Sequence, residues 1–116
     1  MKKKLLYVVL KEIFEKKVKD FNLDQLSELL IELDTHSHNL TPVIEGLNGL
    51  STPHLEYRLQ ELIIYNILNQ SSPYHLTEKG IMYINEQTKT IYENEDYKDF
   101  IKVTNKLIDK ILIMSY

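Results

Sequence analysis

An aspartate and two histidines fall within five residues, Asp34-Thr35-His36-Ser37-His38. Imidazoles two apart beside a carboxylate can supply part of a zinc site. Zinc, however, takes three or four convergent ligands, each oriented by a second hydrogen bond. The remaining histidines, His54 and His75, stand on separate stretches, and no spacing brings them to this group. The five residues are therefore expected to form a polar surface loop, with no metal and no cofactor. Catalytic chemistry has less support still. No glycine-rich phosphate loop, nucleophile elbow or paired buried carboxylates can be read. Cysteine is absent, which removes thiolate nucleophiles and disulfides. No catalytic residue is nominated, and the chain is expected to bind rather than to catalyse.

The 116 residues suit one domain, 1–116, and three Gly and three Pro leave long stretches free to run as helix. The beginning, MKKKLLYVVLKEIF, has a basic start and an apolar run from Leu5 to Leu10, but Lys11 and Glu12 break that run. It is too short for a secretory signal or a membrane span, so a soluble, cytoplasmic protein with no membrane partner is expected. Net charge is −3 and unevenly spread. Residues 1–20 hold seven Lys against three acids, while 24–34 hold four acids and no base. Any nucleic-acid binding must therefore rest on local patches.

Periodicity places an N-terminal helix within 1–20. Leu6, Val9, Leu10, Ile13, Phe14 and Val18 form its apolar stripe, and Lys11, Glu12, Glu15, Lys16 and Lys19 its outer face. A second helix, capped by Asn22 or Asp24, buries Leu26, Leu29, Leu30 and Leu33 and ends in the loop at 34–39. Thr41-Pro42 and Ser51-Thr52-Pro53 each signal a helix start, the second followed by Leu55, Leu59, Leu62 and Ile63. Two helices joined around a glycine make a helix-turn-helix candidate. Asn66 suits a left-handed helix end. Ile67 to Asn69 and Tyr74 to Leu76 are expected to pair as a hairpin around Gln70, Ser71 and Ser72, with Thr77 capping the next helix. A last helix runs from about Asp96 to Met114. The expected fold is mostly α with a small β-hairpin wing: a winged helix-turn-helix core at 24–84 with extra N- and C-terminal helices, the latter over 95–114.

LNGLSTPHLEYRLQELIIYNIL followed by YHLTEKG, within residues 47–80, resembles the winged-helix regulators of the MarR superfamily, the HxlR and PadR branches above all. Gly49 and Ser51 match the turn and the cap. Leu55, Arg58, Leu59, Glu61 and Leu62 match the recognition helix, Asn66 stands where those proteins usually have Gly, and Leu76, Thr77 and Gly80 match the strand-to-helix junction. The match covers roughly half the chain at motif level.

The resemblance implies a sequence-specific, DNA-binding transcriptional regulator with its recognition helix at 52–63. His54, Glu56, Tyr57, Arg58 and Gln60 are the candidates to face double-stranded DNA, Arg58 for guanine and Gln60 for adenine. Thr41, Thr52 and the helix N-termini could hold phosphates. In similar regulators terminal helices form a homodimer, here through Leu6, Leu10, Phe100, Val103, Leu107 and Ile111. No effector ligand can be named. The lysines at 2–4 and 16–19 are expected as a solvated terminus and helix face. The alternative is a winged-helix protein-interaction module, an adaptor or inhibitor of the sort a phage, plasmid or virus carries. The acidic balance, the base-free segment at 69–74 and the tyrosines Tyr57, Tyr65 and Tyr74 fit it.

Overall fold

In the computed structural model, which describes residues 2–16, 18, 20–37, 52–71 and 73–113, α1 (Lys2–Glu15) is enclosed on all sides over its middle turns. Leu5, Leu6, Tyr7, Val8, Val9 and Leu10 are all buried. The expected single stripe is thus too narrow, and the helix is central rather than peripheral. α4 (Glu78–Tyr92) and α5 (Lys98–Ile108) pack directly on α1, and α2 (Leu23–Ser37) packs on α5 and on α3 (Thr52–Ile64). A 3₁₀ turn, Glu95–Tyr97, precedes α5, and a π turn, Asp109–Ile113, continues it. Among the described residues no helix is long and apolar enough to cross a membrane.

Local chemistry sets the helix boundaries. The Asn22 side chain accepts from the Gln25 N–H at 2.8 Å, and the Gln25 side chain accepts from the Asn22 N–H at 3.0 Å, a reciprocal cap that starts α2. Leu26, Leu29, Leu30 and Leu33 are its buried stripe. The helix does not end at Asp34 as expected but runs on to Ser37. Thr35 donates its hydroxyl to the Ile31 carbonyl, and the His36 ring stands 4.0 Å from Glu32 one turn back. The helix start expected at Thr41-Pro42 lies outside the described residues.

Among the described residues there is no strand, and the expected β-hairpin wing is absent. Leu68 and Leu76 form one isolated antiparallel bridge, while Tyr74 pairs with Phe21, ahead of α2. The reason lies in Asn69. Its side chain donates to the carbonyls of Ser71 and Pro73 and accepts from the His75 N–H at 2.8 Å, so a folded turn replaces a longer ladder. Pro73 has no N–H to extend the pairing. Gln70 and Ser71 are exposed on this turn, and Ser72 lies outside the described residues. The fold is a helical assembly, not a winged helix-turn-helix.

The α3–α4 corner forms as its residues suggest. Asn66 takes φ 64° and ends α3, with the Leu62 carbonyl accepting from Ile67 N–H at 2.8 Å and Leu68 N–H at 3.2 Å. The Thr77 hydroxyl accepts from the Gly80 N–H at 2.9 Å and opens α4. A Cβ on Gly80 would lie 2.2 Å from the Ile67 carbonyl oxygen, so only glycine admits this approach. α4 then continues past residue 84 to Tyr92, burying Ile84, Thr88 and Ile91.

Glu12, expected on the solvated face, is only 6% exposed. It accepts from the Tyr92 hydroxyl at 2.6 Å and from the Asn105 amide, tying α1 to both α4 and α5. Lys11 sits 4.3 Å over the Tyr92 ring, and Lys16 pairs with Asp109 at 3.1 Å, fastening the π turn to the end of α1.

Two outcomes follow from these contacts, both read by denaturant unfolding. Gly80→Ala lowers stability by about 2–4 kcal/mol, because backbone rather than a movable side chain opposes the new methyl, whereas Asn66→Gly stays within about 1 kcal/mol. Glu12→Ala lowers stability by about 2–4 kcal/mol by leaving the Tyr92 hydroxyl and Asn105 amide unpaired inside the fold, and Glu12→Gln by less.

Candidate functional site

The first turns of α3 carry most of the residues expected to touch DNA, and their side chains divide between two faces. Glu56, Tyr57 and Gln60 are exposed, and Tyr57, Gln60 and Ile64 share one stripe by their spacing. Arg58 faces away from that stripe. Its guanidinium donates to Glu61 at 3.2 Å, with both side chains partly buried. Thr52 and His54 stand in the first turn of α3, their side chains outside the described part, and Thr41 lies outside the described residues altogether.

Arg58, Glu61 and Tyr65 recur at i, i+3 and i+7, so they line one side of a cleft of about 340 Å³. Lys79 and Tyr83, one turn apart on α4, line the other side, and Tyr7 of α1 closes it. Leu6, Leu62 and Ile67 form an apolar floor. The Tyr7 and Tyr83 rings meet edge to face, 5.9 Å apart at 73°. The rim holds two cations, Arg58 and Lys79, and one carboxylate, Glu61. It is therefore locally positive within a chain whose net charge is −3. Among the described residues that line it, no nucleophile is paired with a base. The arrangement can hold an apolar group and hydrogen-bond an acidic one.

The six residues expected at a dimer interface lie together, but within one chain. Leu6, Leu10, Phe100, Leu107 and Ile111 are buried in the core, and Val103 is half-buried against it. The chain's own helices cover them. Among the described residues no three metal-ligand side chains converge; His36 is exposed beside Glu32, and His38 lies outside the described residues. The sequence reading missed Tyr7, Lys79 and Tyr83. Lys79 and Tyr83 do carry a signal, the i, i+4 spacing of one helix face. Nothing local, however, tells which helix that face meets.

Burial first, and then the neighbouring Tyr83, push the Tyr7 phenol up to about 12. A raised folded-state value means the neutral phenol stabilises the fold below pH 10 and that this contribution is lost as pH rises from 10 towards 12. Spectrophotometric titration is expected to show late-ionising tyrosines, of which Tyr7→Phe removes one while Tyr92, raised further by burial and its bond to Glu12, remains, and the stability of that variant falls less steeply between pH 10 and 12. No protein-family model matches the chain, and neither the curated proteins nor the solved structures contain a similar one.

Proposed function

We propose that the chain is a non-catalytic binding module that engages a partner protein through the outer faces of α3 and α4. The supporting observation is that five of the eight exposed large hydrophobic side chains among the described residues belong to α3, the residue after it, and α4. Tyr57 projects from the middle of α3, Ile64 and Tyr65 from its last residue and the one beyond, and Met82 and Tyr83 from α4, with exposures between 40% and 76%. Tyr65 and Tyr83 both line the cleft, so the set reaches both helices. Gathered apolar side chains on a small protein mark contact surfaces, and aromatic residues and Met are the types that interface centres favour.

The likeness of residues 47–80 to MarR-type regulators supports a second reading, a homodimer that reads duplex DNA through residues 52–63. Duplex affinity rests on neutralised phosphates. Arg58, the lone Lys or Arg in that span, is tied to Glu61, and the stripe beside it offers a phenol, an amide and an isoleucine. That balance favours the protein partner.

A photo-crosslinking side chain placed at Tyr57 or Ile64, with Lys102 on α5 as control, separates the two readings in the cells that make the protein. A discrete adduct at both α3 positions, resistant to nuclease, destroyed by protease and missing from the control, is the expected result. Nuclease-sensitive adducts, together with enrichment of one sequence from random duplexes that Arg58→Ala abolishes, would replace it with the DNA reading.

A further inference from the structure

We infer that the cleft between α1, α3 and α4 receives an acidic and apolar peptide segment of that partner, with an Asp or Glu side chain held between Arg58 and Lys79 and an adjoining Leu or aromatic residue on the floor. The inference rests on the protein-contact reading above and names the chemistry of the contact.

Size, polarity and charge each narrow the occupant. At about 340 Å³ the cleft stands at the lower end for binding pockets, which suits one or two side chains and not a whole helix or a dinucleotide. The floor of Leu6, Leu62 and Ile67 and the rings of Tyr7, Tyr65 and Tyr83 favour an apolar body. Arg58 presents five N–H donors in a fixed fork, and the contact with Glu61 engages one nitrogen of it. A second carboxylate approaching from the cleft can take the rest of the fork, in a partly buried place where charge-assisted hydrogen bonds are strong. Lys79, exposed on the opposite rim, adds attraction without having to be desolvated beforehand. A cationic segment would meet only Glu61, already paired with Arg58, and would be opposed by both bases. The second groove, lined by Leu10, Ile13, Phe14, Val18, Phe21 and Leu76 together with Glu15 and His75, presents a carboxylate and no Lys or Arg among its described lining, so it offers an acidic segment no such attraction.

The test is selection of a random twelve-residue peptide display library on the full chain, followed by affinity measurements with one enriched peptide synthesised alone. Enriched sequences are expected to place Asp or Glu within a few residues of Leu, Phe, Tyr or Trp. That peptide should bind Lys79→Glu at least about tenfold more weakly and Lys102→Glu within about twofold of the original chain. Lys79→Glu is expected to fold, since it is exposed in the first turn of α4, where an acid suits the helix dipole. Peptides enriched without acids, or bound equally by Lys79→Glu, would overturn the acidic assignment while leaving the α3–α4 surface as a contact site. An absence of any enriched peptide would overturn the cleft as a peptide site, and crosslinking at Tyr57 and Ile64 would still decide independently whether a protein partner docks on α3.

Discussion

The enclosure of α1 is the constraint on which the other elements depend. A helix buried over six successive residues has no solvated face along that stretch, so whatever polar groups it carries there must be answered by other helices. Tyr7 and Glu12 are those groups. Tyr7 is answered by Tyr83 at the start of α4, and Glu12 by Tyr92 at the end of α4 and Asn105 on α5. α4 is therefore held against α1 through both Tyr83 and Tyr92, and a kinked or shortened α4 would cost α1 one of these two contacts. The two hydroxyl threonines, Thr88 and Thr104, occupy buried positions at no such penalty because each donates to the carbonyl four residues earlier, Ile84 and Phe100.

What could be read from the sequence is what short-range chemistry decides. The leucines of α2 and α3, the positive φ of Asn66, the Thr77 cap and the close approach at Gly80 each depend on neighbours within a few turns. Glu12 shows where that legibility ends. Spaced along a helix with Lys11, Glu15 and Lys16, it reads as one more solvated charge, yet its partners lie 80 and 93 residues further along the chain. The terminal helices follow the same rule. Their apolar width is plain in the sequence, but width alone does not distinguish a face turned to a second copy from one turned to the chain's own core, and here α1 and α5 cover each other.

The missing wing is a different kind of departure. The junction motif predicts its own corner well, because cap, left-handed residue and glycine are all in place. What it does not specify is the length of ladder ahead of the corner. Asn69 decides that by folding its amide over the Ser71 and Pro73 carbonyls, and Phe21 takes the pairing of Tyr74. The segment thus joins the start of α2 to the start of α4 and does not project.

The same corner also sets the cleft. Because Gly80 lies against the Ile67 carbonyl, the first turn of α4 is held against the corner that follows α3, and Lys79 and Tyr83 line one cleft with Arg58 and Tyr65. Arg58, on the side of α3 that lines the cleft, forms a partly buried pair with Glu61, and the Tyr57, Gln60 and Ile64 stripe carries no Lys or Arg. Placed there, Arg58 gains in strength for a single carboxylate, because partial burial reduces solvent screening. The approach at Gly80 thus brings a second base, Lys79, to the cleft that Arg58 lines.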